Sequence, residues 1–270
     1  MEFNEIRRYW EDRATSDSTA QSTTNDVYLR EIEARVLSEQ IEKFGPKSVV
    51  DIGCGDARTT ARLACKFRGI EFKGTDYAHS MIENSAQTIA SLALSNVHLF
   101  QYDVTKPFPL LDVDFVFTTR CLINIPSWDL QKKAVENIRN CLRDGGIYVM
   151  IENFSDDQKK FNRLRRQYDL PEIDVRNHNL FFENNKTIEF LSEIFDIVEN
   201  TNISSTYYLM SRVVYSAICK ERGETPDYFD RHHELAAQLP FLGDYGPVRM
   251  LCLRKAASDD RKHLTRVEDV

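Results

Sequence analysis

Three aspartates and two glycines carry the strongest chemical signal in this sequence. Asp51 precedes Gly53 and Gly55 in Val49-Val50-Asp51-Ile52-Gly53-Cys54-Gly55, Asp76 follows Gly53 by 23 residues, and Asp103 closes a later apolar run. A two-glycine turn between a strand and a helix is expected to offer backbone N–H groups and a helix N-terminus to a ligand. Asp51 argues against a pyrophosphate at that turn, because its carboxylate repels one and suits a cationic group. Asp76 stands close to the distance at which an acid meets an adenosine ribose, where two carboxylate oxygens accept both hydroxyl protons; capping the next helix is its competing role. Farther on, His178 sits in a polar loop and titrates in the range a general base needs, and Glu152 closes another apolar run, where it can orient His178 or bind a substrate.

The elements that must position these residues follow from hydrophobic periodicity. Strands are predicted at 48–52, 70–76, 97–103, 113–119 and 147–151, with helices over 57–67, 79–93 and 128–142 between most of them. Ser127 is the expected N-cap of the last of these helices, and the proline-rich link from the third strand to the fourth is too broken for a helix. Alternating strands and helices of this kind predict an α/β fold with a mostly parallel sheet covered on both faces. Open sheets of that type bind ligands at the carboxyl ends of their strands, where the three aspartates lie. Before them, residues 14–26 read as a polar loop and 27–44 as a helix that packs on the core.

The segment from Asp51 to Gly55 resembles motif I of class I S-adenosylmethionine (SAM) dependent methyltransferases, Asp/Glu-x-Gly-x-Gly. Ala57 replaces a glycine found in many members, and a right-handed backbone is expected there. Arg58 stands where a dinucleotide fingerprint wants its third glycine, which disfavours a nicotinamide dehydrogenase. Tyr9-Trp10-Glu11-Asp12-Arg13-Ala14 resembles the "YWxxRA" segment that closes over the cofactor in such enzymes, and Asn140 to Glu152 resembles their "LxPGG" turn and fifth strand. The resemblance implies a seven-stranded sheet whose last strand enters antiparallel beside the sixth. It also implies SAM as cofactor and S-adenosylhomocysteine (SAH) as product. Asp51 is then expected near the methionine amino group, Asp76 on the ribose, and Asp103 and Val104 on the adenine. Trp10, Arg13, Gly53, Gly55, Tyr77 and Thr119 are further cofactor contacts, and Arg120 and Asn124 face the methyl acceptor unless they only satisfy loop backbone.

The remaining chain is expected to decide the acceptor. A helical cap over 1–45 precedes the SAM domain at 46–255, which carries insertions at 153–183 and 204–246 that form an acceptor lid; 256–270 reads as a disordered tail. Tyr208 and Arg212 in the second insertion are candidate acceptor contacts. The basic helix 158–168, with Lys159, Lys160, Arg163, Arg165 and Arg166, reads as a solvated charged face. The 270 residues carry a net charge of -7, a poor basis for nucleic-acid binding. Six cysteines without a CxxC pair point to free thiols in a reducing compartment, and with no signal peptide or membrane span the expectation is a cytoplasmic protein. No metal-ligand spacing is present, since His232 and His233 are adjacent. The reading is a SAM-dependent methyltransferase acting at O or N of a small molecule such as a sugar, lipid-linked or secondary-metabolite acceptor. Its alternatives are a SAM-binding or protein-interaction module without catalysis, and an RNA or protein methyltransferase.

Overall fold

The computed structural model describes residues 2–16, 24 and 26–256. All but Ala256 of the tail expected at 256–270 lies outside these residues. Helix α1 (Phe3–Ser16) leads to α2 (Val27–Phe44), whose N-cap Asp26 accepts the Leu29 N–H and whose last turn closes on Gly45 in the left-handed region. The central elements follow as β1 (Ser48–Ile52), α3 (Arg58–Lys66), β2 (Glu71–Asp76), α4 (His79–Ser91), β3 (Val97–Gln101) and β4 (Val113–Thr119). A 3₁₀ turn (Leu122–Asn124) and α5 (Trp128–Cys141) connect to β5 (Leu142–Asn153), and Ser127 caps α5 as expected by accepting the Leu130 N–H at 3.3 Å.

Seven strands form one sheet in the order β3-β2-β1-β4-β5-β7-β6, in which β6 is Asp196–Asn202 and β7 is Val248–Arg254. The pairs among β1 to β5 are parallel, while β7 runs antiparallel between β5 and β6. Strand alternation divides the core in two. Val49, Phe115, Phe117 and Val149 pack under α2 and α3 on one face, and Val50, Val116, Tyr148 and Met150 pack under α5 on the other. The first insertion contributes α6 (Ser155–Gln167), with α7 (Asn184–Ile194) after it. The second contributes α8 (Ser205–Tyr208), a π-helical turn (Leu209–Val214), α9 (Tyr215–Arg222) and α10 (Arg231–Ala237).

Three local expectations are corrected. α1 continues to Ser16, past the predicted start of the loop at Ala14, because Ala14 packs with Ala78 and Met81. β3 ends at Gln101, so Asp103 lies in the loop beyond it. Arg165 is not on the solvated face of α6: it is buried and donates to the carbonyls of Pro171 and Arg212. Long arginines reach backbone acceptors across a helix pair in a way periodicity does not reveal.

Candidate active site

β1 lies between β2 and β4, so successive connections leave it in opposite directions and a crevice opens beyond its carboxyl end. A cavity of about 390 Å³ occupies that crevice, within the range of small-molecule sites. Its floor is the turn after β1 with Asp76, Tyr77, Asp103, Val104 and Thr119, and its walls come from α1, α2 and both insertions.

The turn works differently from its expected role. Gly53 and Cys54 donate their N–H groups to the Thr75 carbonyl at 2.7 and 2.8 Å, and Gly55 donates to Asp76 Oδ2 at 3.1 Å. These groups are therefore engaged within the protein instead of being held out to a phosphate. What Gly53 provides is close approach: at φ +77° it lies against Cys121, and a Cβ would collide with that sulfur. Ala57 is not right-handed but left-handed, at φ +54°, a conformation that disfavours any residue with a Cβ. The loop demands it, since the Ala57 N–H closes onto the Cys54 carbonyl at 2.9 Å before the chain turns into α3.

Asp51 is buried, and Thr60 donates to its Oδ2 at 2.5 Å, while Oδ1 has no hydrogen-bond partner in the protein. Burial, reinforced by the nearby Asp76 and Asp56 charges, raises its carboxyl to about 7. A cationic group in the cavity would satisfy the unpaired oxygen. Asp76 bonds the backbone just before α4 and also faces the cavity. Its Oδ1 accepts the Ala78 N–H at 2.9 Å beside the start of α4, it lines the cavity, and burial raises it to about 6. Asp103 lines the cavity and accepts from both Thr105 donors through Oδ1; beside it the Val104 carbonyl is held by Asn137. The Tyr77 hydroxyl is buried and unpaired, and burial raises it above the ordinary phenol range.

Trp10 and His178 reach the same cavity from α1 and the first insertion. The imidazole stacks on Tyr9 with centroids 4.4 Å apart and meets Trp10 edge-on at 5.8 Å. Burial, then the Arg176 charge, lowers its pKa, which keeps it neutral at pH 7. Arg13, at the end of α1, does not line the cavity.

Glu152 requires a correction of role. Fully buried at the end of β5, it accepts the N–H groups of Cys121, Leu122 and Ile123 at 3.1, 2.9 and 3.3 Å. It anchors the 3₁₀ turn after β4 and is not among the residues lining the cavity, so it neither orients His178 nor meets a substrate. Burial raises its carboxyl to about 7 against the pull of those hydrogen bonds.

The charged acceptor candidates line the cavity but are bound to partners. Arg120 forks onto Glu33 of α2 at 2.7 and 3.1 Å, and Arg212 meets Asp26 at 2.5 Å. Arg212 also contacts His233 Nδ1 at 3.0 Å and lies over the Tyr228 ring, 4.2 Å from its centroid. Asn124 donates to the Arg120 and Cys121 carbonyls at 2.9 and 3.2 Å, which is the loop-satisfying role, yet its Oδ1 is left unpaired. Tyr208 lines the cavity, and burial raises its hydroxyl to about 12. Thr60, Glu33, Asp26, Asn153 and Asn179 were missed by sequence reasoning. Only Asp26 had a local signal, as the polar residue preceding a helix; the others act through contacts across the fold.

Residues 49–146 match a protein-family model described as a methyltransferase domain. Over those residues the chain is similar to a methyltransferase domain. A curated relative, pavine N-methyltransferase of Thalictrum flavum subsp. glaucum, is 26% identical over 127 residues, which covers 47% of this chain and 33% of the relative. Thus the match spans about a third of that relative's length. The N-methyltransferase NodS of Bradyrhizobium japonicum WM9, solved with SAH, superposes with a TM-score of 0.58 at 13% identity, covering 93% of this chain and 99% of that one. The [4+2]-cyclase SpnF superposes at 0.55 with 18% identity, covering 83% and 81%. At such low identity these likenesses speak to the fold. The matched segment runs from β1 to the start of β5, and residues 153–183 and 204–246 lie beyond it.

Proposed function

We propose that this chain transfers a methyl group from SAM to an oxygen or nitrogen of a small molecule. The observation that carries the reading is the pairing of Asp51 and Gly53 in one cavity: an unpaired buried carboxylate oxygen beside a turn with no room for a Cβ. These residues fit a ligand with a cationic amino group lying close against the backbone. Asp51 holds that group, Asp76 the ribose, and Asp103, Val104 and Tyr77 the adenine end, with Thr119 and Trp10 as further walls. The cofactor supplies a methyl already activated on a sulfonium. The chain's own contribution is to align the acceptor, exclude water and manage a proton.

His178 takes that proton. A hydroxyl is a poor nucleophile until deprotonated, and a neutral imidazole lining the cavity suits the task. The insertions 153–183 and 204–246 act as the acceptor lid. A nucleic-acid acceptor has less support, because Lys159, Lys160 and Arg166 on α6 pair with Asp156, Asp157 and Glu172. Among the described residues no helix is long and apolar enough to cross a membrane, and all six cysteines are free, which favours a reducing compartment such as the cytoplasm. The likeness to a cyclase keeps a second chemistry in view, since this fold does not by itself dictate a reaction.

Incubating the protein with methyl-labelled SAM and a fractionated cell extract tests the proposal. Label should appear in a small-molecule fraction, and His178→Phe, which keeps the ring stack on Tyr9, should reduce incorporation while sparing SAH affinity. Label in nucleic acid or protein alone would reject the small-molecule reading, and undiminished incorporation by the variant would reject His178 as base.

A further inference from the structure

We propose that the part of the cavity between α2 and the two insertions selects an uncharged, hydroxyl-bearing acceptor through the side-chain carbonyls of Asn124, Asn153 and Asn179. This rests on the methyltransferase reading and narrows its acceptor. All three residues line the cavity, and each has a buried Oδ1 without a hydrogen-bond partner in the protein. Asn153 as a whole is 8% exposed.

The backbone brings the three together. Leu180 donates its N–H to the Ile123 carbonyl at 2.7 Å, which sets Asn179 beside Asn124 across that bond, and Phe182 donates to the Asn153 carbonyl at 3.0 Å. One short stretch of the first insertion, 178–182, thus joins the turn after β4 to the end of β5. His178 stands at the start of that stretch, so the proposed base and the amide oxygens border the same space. The Asn124 amide cannot turn over without breaking its two carbonyl bonds, so its free atom is an acceptor.

The ions nearby argue against a charged acceptor. Glu33 takes the Arg120 fork, and Asp26 already receives Arg212, the Tyr207 hydroxyl and the Leu29 N–H. Their charges are internally matched, and Asp174 and Arg176, which also line the cavity, are exposed and screened by solvent, so no buried counter-ion is left over for a carboxylate, phosphate or ammonium on the acceptor. An anion would also face the fixed Asn124 carbonyl dipole by its negative end. A cation would lie near two buried arginines. A neutral molecule with several hydroxyl donors fills the unpaired acceptors without breaking either ion pair.

Binding measurements on SAH-saturated protein separate these cases. The probes are methyl glucoside and resorcinol as neutral hydroxyl donors, with glucuronate and glucosamine as charged counterparts, followed by ligand-observed NMR titration. At least one neutral probe should bind saturably, and both charged probes at least tenfold more weakly. Asn153→Leu should lose at least tenfold in that affinity without lowering the melting temperature of the ligand-free protein, because it removes an unpaired polar atom. Asn179→Leu, in the loop, gives the same readout if Asn153→Leu does not fold. Tighter binding of a charged probe, no binding of either neutral probe, or unchanged affinity in the folded variants overturns the proposal. If SAH itself does not bind, the methyltransferase reading fails instead.

Discussion

Asp51 shows how much one side chain depends on its surroundings. Its raised carboxyl, near 7, means the fold favours the protonated acid over the anion. The sign follows: this residue stabilises the empty protein most below the ordinary carboxylate pKa, and that contribution is lost as pH rises through about 7. A cationic ligand reverses the preference and draws the proton off, so SAH affinity should rise between pH 6 and pH 8 with release of a proton, measurable as buffer-dependent heat. Asp51→Asn keeps an acceptor for Thr60 but loses the charge. It should weaken SAH at pH 8 at least tenfold, about 1.4 kcal/mol, and flatten the pH dependence. Affinity independent of both pH and the substitution would remove Asp51 from the site. Residue type and spacing made it legible that Asp51, Asp76 and the glycines gather at one cavity. They did not reveal that the turn's N–H groups are taken by Thr75 and Asp76, or that Ala57 is left-handed, because backbone torsions leave no mark on alanine's chemistry. Glu152 was misread for a related reason: an acid at a strand end looks the same whether it faces a cavity or caps a turn.

Among the elements, the 3₁₀ turn after β4 and helix α1 are each anchored by a carboxylate. Glu152→Ala would strand three N–H groups, those of Leu122 and Ile123 buried, and should cost about 3 kcal/mol of stability in urea denaturation. A loss of turnover with unchanged stability would restore the catalytic role rejected above. α1 is held by Glu11, whose oxygens accept the His79 and Ser80 N–H groups at 2.8 and 2.9 Å at the start of α4. Partial burial pushes its pKa up, but the hydrogen bonds from Ser80 and His79 outweigh that and hold it below the usual range. The contact is therefore complete above the ordinary glutamate pKa and lost as pH falls through the lowered one. Glu11→Ala should weaken the docking of α1 by about 1 kcal/mol and reduce the protection that SAH gives this helix against limited proteolysis. Equal protection in both proteins would show that α1 is held by its apolar contacts and the Asn84 bond to the Ala14 carbonyl. Strand and helix periodicity made these elements legible, down to the Ser127 cap; the long-range carboxylate anchors were not, since their partners lie 29 to 31 and 68 to 69 residues away.

At the scale of the molecule, a parallel sheet with a reversal beside β1 gathers residues from distant positions around one crevice. The five central strands could be read from alternation, and the antiparallel seventh from family resemblance. The acceptor half was far less legible. Its walls depend on pairings such as Asp26 with Arg212, 186 residues apart, and on which amide oxygens are left unpaired once the insertions fold against α2 and β5. Such complementarity is a property of the assembled cavity and not of any segment. On this proposal the cavity holds SAM through a carboxylate and a close-packed turn instead of a dinucleotide on a phosphate cradle. Titration calorimetry at pH 8 with SAH and with NADH tests it directly: SAH should bind one-to-one and NADH should give no heat, whereas NADH binding without SAH binding would contradict the account.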